Sequence, residues 1–148
     1  MKYSFFILLF CVGSFVNAQK TPKACVEQFF IAFHEQDTVK LKKLLIPEVK
    51  FQSISKDEKG NSVLHIENRL DFLNSLSSIP KQMYFKEELG KPVVQKDDKM
   101  AAVWVPYEFY LDTEFRHCGI NLFTLMQVEK KWKIIHFTDT RQIKNCNR

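Results

Sequence analysis

Apolar residues recur along this chain with two different periods, and the change from one to the other marks its organisation. Val26, Phe29, Phe30 and Phe33 fall at helical spacing. Thr21-Pro22 before them supplies an N-cap and a proline at the first helical position, where a missing N–H is no loss. Asp37-Thr38 caps a second short helix that runs to Leu45, and Pro47 stops it. From there the period drops to two: residues 49–55 alternate as a strand, turn over 56–61 and resume extended structure at 63–66. Asn68 caps a third helix with Leu70, Phe72, Leu73 and Leu76 inward, ending before Pro80. Residues 83–89 and 93–95 read as extended around Gly90 and Pro92, and residues 100–142 read as three strands folded back on one another. Helices collected early and strands late predict an α+β fold in which a curved antiparallel sheet wraps three N-terminal helices.

The last three strands divide further into faces. A two-residue turn at Asp112-Thr113 sets Leu111 opposite Glu114, Glu108 opposite His117 and Trp104 opposite Asn121. A turn at Lys130-Lys131 sets Glu129 opposite Trp132, Leu125 opposite His136 and Asn121 opposite Thr140. Strict alternation then puts Trp104, Glu108, Tyr110, Phe115, His117, Asn121, Phe123, Leu125, Trp132, Ile134, His136 and Thr138 on one face. That face mixes aromatics with hydrogen-bonding groups, as a ligand pocket does. The other carries Val103, Val105, Tyr107, Phe109, Cys118, Ile120, Leu122, Met126, Ile135 and Phe137. It is mostly apolar with no helix left to cover it, and so is expected to pack against a second copy in a homodimer. A one-residue slip exchanges the two assignments.

Composition adds size and compartment. A chain of 148 residues that is 45% hydrophobic and 26% charged makes one globular domain, and its 14 Phe suit a wide core or an aromatic-lined cavity. Met1-Lys2, the apolar stretch 5–12 and Val16-Asn17-Ala18 describe a signal peptide over residues 1–18, too short to anchor permanently in a bilayer. Residues 19–148 are then a single exported domain, periplasmic or extracellular, with no membrane association after cleavage. Cys11 leaves with the signal, and Cys25, Cys118 and Cys146 remain in a compartment where disulfides persist. The hairpin register puts Cys118 opposite residue 143, which favours a bridge from Cys118 to Cys146; a Cys25 to Cys146 bridge is the alternative. No cysteine or histidine spacing matches a metal site, so neither metal nor cofactor is expected. Lys40, Lys42 and Lys43 fall on the polar side of a helix, a solvated face rather than a nucleic-acid site.

The Phe-rich helix in CVEQFFIAFHEQD, the short helix after it, the late Gly/Leu/Phe strand and the closing EKKWKIIHFTDTR resemble the nuclear transport factor 2-like (NTF2-like) superfamily, in particular small bacterial SnoaL-like members. The resemblance runs over residues 19–147, and Trp132-Lys133-Ile134-Ile135-His136 is its most specific piece. It implies a cone-shaped, cystatin-like fold with a cavity at the wide end. It does not imply one chemistry, because the superfamily includes isomerases, cyclases, dehydratases, ligand carriers and protein-binding modules. Ketosteroid isomerase-like members use a carboxylate base with a Tyr and a protonated Asp; no motif places that set on this chain residue by residue.

Glu108 opposite His117 is the candidate acid/base pair, with Asn121 as a donor to a carbonyl or enolate oxygen. Their competing reading is a pair that satisfies itself inside the sheet. Trp104, Tyr110, Phe123, Trp132 and His136 are the expected walls around a ligand, and Asp139 and Arg141 match as a structural ion pair near the dimer seam. Two functions follow from different classes: an exported module that binds a small, partly apolar molecule, which is preferred, and an enzyme doing metal-free acid/base chemistry next to a carbonyl. A protein-interaction module with a filled cone is the third.

Overall fold

Capping sets the helices where the sequence signals them. In the computed structural model, which describes residues 20–144 and 146, α1 spans Pro22–His34, and the Thr21 side chain accepts from the Ala24 N–H at 3.1 Å. Asp37 caps α2, Thr38–Leu44, by accepting from Lys40 N–H, and Asn68 caps α3, Arg69–Ser78, by accepting from Asp71 N–H. The signal segment 1–18 lies outside the described residues.

The strands are β1 (Leu45–Lys56), β2 (Ser62–Asn68), β3 (Phe85–Leu89), β4 (Val93–Lys96), β5 (Met100–Leu111), β6 (Glu114–Val128) and β7 (Lys131–Thr140). They form one curved, unclosed sheet in the order β2-β1-β7-β6-β5-β3, with β4 also paired to β5. The sheet is mixed rather than wholly antiparallel, because the β5–β6–β7 meander brings β7 back alongside β1 in the same direction. Pro47 falls inside β1, where the pairing with β7 skips between Leu45 and Lys50. A residue without an N–H is tolerated in such an irregularity.

The three helices pack on the concave side of the sheet. Phe29 sits at the centre, in ring contact with Phe30 and Phe33 of its own helix, Phe51 of β1, Phe72 of α3, Phe123 of β6 and Phe137 of β7. Cys25, Leu41, Leu125 and Ile134 complete a core that water does not reach.

Two irregularities decide which side chains face that core. The turn at Asp112-Thr113 forms as expected, with positive φ at both residues and Leu111 opposite Glu114. Tyr110 pairs with Phe115, but Phe109 pairs with His117, leaving Arg116 as an extra residue in β6. Such a bulge inverts the facing of everything beyond it. Val105 therefore meets Asn121, and Val103 meets Phe123, on the concave side. The second turn falls at Glu129-Lys130, one residue before the expected place, and a further skip past Ile135 sets Thr124 opposite His136. The expected faces are thus mixed: Val103, Val105, Tyr107 and Phe109 lie under the helices, while Trp104, Glu108 and Tyr110 lie on the convex side with Ile120 and Leu122.

Cys118 and Cys146 form a disulfide, and Cys25 is a buried free thiol whose pKa burial pushes up to about 12. The bridge closes a sequence separation of 28 and holds the tail beside a two-way backbone pairing of Cys118 with Gln142. Cys146→Ser is expected to lower stability by about 3 kcal/mol through a less constrained unfolded chain. Urea unfolding of the oxidised wild type against the variant measures it; equal midpoints would mean that the tail contributes nothing.

Candidate functional site

A cavity of about 550 Å³ opens between α1, α3 and the concave face of the sheet. Its inner wall is aromatic, built from Phe29 and Phe33 of α1, Phe72 of α3, Phe85 of β3, Phe109 of β5 and Phe137 of β7. Its other wall is polar, with Ser53, Glu67, Glu87, Tyr107, His117, Asp139 and Arg141. Strand parity brings both kinds of residue into the one cavity: Phe85 and Glu87 share a face, as do Phe137 and Asp139.

Asp139 is the centre of one cluster and is almost fully buried. Ser53 Oγ donates to Asp139 Oδ1, Arg141 Nε donates to Oδ2 at 2.9 Å, and the Tyr107 hydroxyl lies 3.3 Å from Oδ2 and 3.0 Å from the Thr140 carbonyl. Arg141 also reaches Ser53 Oγ at 3.1 Å. Burial, with the Asp139 charge beside it, holds the Tyr107 phenol well above its usual range, so it remains a donor.

Glu87 forms the second cluster. Its Oε2 accepts from Asn121 Nδ2 at 2.7 Å, and its backbone N–H donates to His34 Nε2 at 2.9 Å. That bond makes His34 Nε2 an acceptor, and burial together with the nearby Lys86 charge lowers the His34 pKa, so its imidazole is neutral. Asn121 is fully buried, and its Oδ1 has no hydrogen-bond partner. Burial pushes the Glu87 carboxyl up to about 7, against the Asn121 hydrogen bond and with a further push from Asp139 that outweighs the pull of Arg141. His117 stands against Phe109 with ring centroids 4.8 Å apart; burial and then the Arg141 charge lower its pKa, which Asp139 opposes.

The expected site residues separate. His117 lines the cavity and Asn121 lies directly behind Glu87, so these reach the concave side together. Phe123 and Trp132 are buried in the core rather than exposed to a ligand. Glu108 faces away from His117 and accepts from the Tyr110 hydroxyl at 2.6 Å on the convex side. Trp104 is half-exposed there, and His136 Nε2 lies 2.8 Å from Gln52 Oε1. The Asp139–Arg141 ion pair forms, and both residues line the cavity. Glu87 and Tyr107 are the groups that sequence reading passed over. The alternation of Phe85 with Glu87 was the available signal, since a carboxylate two residues from a buried Phe shares its face.

The same architecture occurs in solved structures of low sequence identity. A cystatin-like protein of unknown function from Nostoc punctiforme aligns with a TM-score of 0.64 at 8% identity, covering 82% of this chain and 89% of that one. An NTF2-like protein from Cytophaga hutchinsonii aligns with a TM-score of 0.60 at 17% identity over 80% and 93% of the two chains. An NTF2-like superfamily protein from Salmonella enterica gives 0.62 at 12% identity over 83% and 89%. No family model matches the sequence, and neither does any curated protein. The chain has the NTF2-like, cystatin-like fold.

The raised Glu87 pKa has a consequence for stability. Between the ordinary 4.5 and about 7 the folded protein holds a proton that the unfolded chain has released. The stabilisation this gives is complete below 4.5 and disappears as pH rises through about 7. The lowered pKa values of His34 and His117 act the other way, removing stability as pH falls below 6.5. Comparison with Glu87→Gln isolates the carboxyl: from about pH 5 to about pH 8 wild type should lose on the order of 2 kcal/mol relative to the variant. Urea midpoints across that range measure it, and parallel curves would show an ordinary Glu87.

Proposed function

We propose that the domain binds a small, partly apolar molecule in the concave cavity. The observation that carries this reading is the division of one cavity into an aromatic wall and a wall of hydrogen-bonding groups fixed on neighbouring strands. The first supplies affinity through burial, and the second fixes orientation. The open volume also favours a ligand over a cone filled by its own side chains. Export to an oxidising compartment accompanies this reading, supported by the Cys118–Cys146 bridge. Among the described residues no helix is long and apolar enough to cross a membrane.

A second reading, acid/base chemistry on the bound molecule, is favoured by one feature: a cavity carboxyl with a pKa of about 7. Native mass spectrometry of protein recovered from its own host tests both. A retained mass lost on denaturation supports the cavity reading, and an empty cavity in every preparation would sink it. The same spectrum gives the N-terminal residue, expected to be Gln19. If the retained molecule is converted on incubation, Glu87→Gln should slow conversion by about 10²- to 10⁴-fold. A binder leaves it unchanged.

We also propose that two copies pair through the convex face. Val93 pairs with Trp104 and Met100 with Met126 across strands, four residues apart along β5, and all four are exposed, Trp104 at 48%. An apolar strip of this kind on a sheet is covered most simply by its own copy. Trp104→Glu is expected to convert a dimer into a monomer in analytical ultracentrifugation. A wild type that sediments as a monomer at its highest soluble concentration would remove the proposal.

A further inference from the structure

The polar wall carries the opposite charge from the chain as a whole. The chain has a formal net charge of +5, yet three carboxylates, Glu67, Glu87 and Asp139, line the cavity against a single guanidinium, Arg141. That guanidinium is engaged: its Nε and one terminal nitrogen donate to Asp139 and Ser53. Its charge is therefore matched within the wall, and a ligand carboxylate would meet Asp139 beside it. Among the described residues Glu87 forms no ion pair.

The hydrogen-bonding capacity left over is of one kind. Asn121 uses its Nδ2 on Glu87 Oε2, leaving Asn121 Oδ1 fully buried with no donor. That acceptor is closed off from the cavity, but among the described residues Glu87 Oε1 meets no donor, and its carboxyl lines the cavity. When ionised, this carboxyl accepts and cannot donate. Phe109, paired with Glu87 across β3 and β5 and stacked on His117, is one of the aromatic rings lining the cavity, and such rings attract a cation.

Resting on the cavity reading above, we propose that the ligand is an organic amine, an ammonium group carried on an aromatic or aliphatic body. The ammonium lies against the Glu87 carboxylate, which Asn121 holds from behind, and the body lies among Phe29, Phe33, Phe72 and Phe109. An ammonium has three donors and no acceptor, which fits a carboxylate with one oxygen left without a donor. Its charge supplies the partner that Glu87 lacks, and in a site shielded from water such a pair is worth more than at a surface.

The groups that bear on Glu87 are Asn121 and His117 of β6, Asp139 of β7 with Arg141 beyond it, Tyr107 of β5, Glu67 of β2 and His34 of α1. The histidines are neutral near pH 7 and Arg141 is matched by Asp139, so the ionisation of Glu87 itself sets the pH response. Binding of a cation should strengthen as pH rises, by about tenfold per unit below the Glu87 pKa and levelling above it.

Isothermal titration of the wild-type mature protein with phenethylamine, phenethyl alcohol and hydrocinnamate tests the inference, since the three share a body and differ in head group. At about pH 8 the amine should bind at least about tenfold more tightly than either analogue, and that preference should shrink at about pH 6. Glu87→Gln, checked for folding by circular dichroism, should abolish the preference while leaving alcohol binding in place; the wild-type series decides the matter even if the variant fails to fold. Alcohol or carboxylate binding as tightly as the amine would overturn the amine inference and leave the cavity reading standing. Binding of none of the three would overturn both.

Discussion

Arg116 has no partner on β5, and the groups that stand in the cavity wall depend on that extra residue in β6. With it, His117 turns to the concave side against Phe109, and Asn121 lies next to Val105 within reach of Glu87. Without it, Glu108 would face the same way as His117 and the Glu87–Asn121 contact could not form. Three residues beyond Arg116, the bent strand runs so close to β7 that a Cβ at Gly119 would lie 1.7 Å from the Thr140 carbonyl oxygen. Glycine is required there because backbone meets backbone, and the Tyr107 hydroxyl bonds that same oxygen.

The aromatic core explains how such a polar wall is tolerated. Phe29 and the rings around it bury apolar surface from every layer at once, tying α1 and α3 to β1, β6 and β7. Against this stands a half-buried carboxyl, Glu87, with its neighbour Asn121 half-satisfied. A domain evolving for stability alone would replace such groups with apolar ones of the same volume. The position of Glu87 in the wall of an open cavity, rather than sealed in the core, is why it is read as ligand-facing, with Asn121 holding it from behind.

The two polar clusters differ in what they leave undone. Asp139 is saturated by Ser53, Tyr107 and Arg141, so it fixes geometry and holds the Arg141 charge in place. Glu87 has a donor on one oxygen only and is raised by burial, so it is the group free to respond to a ligand or a proton. The neutral His34 at the end of α1 anchors the β3 backbone, so the carboxyl stands on a strand tied to a helix rather than on a loop.

Local chemistry was legible in the sequence. Thr21, Asp37 and Asn68 cap the helices they signal, Asp112-Thr113 makes the hairpin turn, the α1 stripe faces the core, and Cys118 meets Cys146. Each of these depends on residues a few positions apart, or on a register counted a short way from a turn. What entered the cavity was decided elsewhere. No glycine or proline stands at the bulge at Arg116 or at the skip at Ile135, and each one-residue shift reverses a face. Glu87 and Asn121 are 34 residues apart, on strands that are not neighbours in the sheet, and meet only because the sheet curves around α1. The sequence alone thus determined the elements and their order, since propensity, capping and periodicity act within a few residues. The tertiary structure decided which side chains share the cavity, because strand register and sheet curvature are settled by packing across the whole domain.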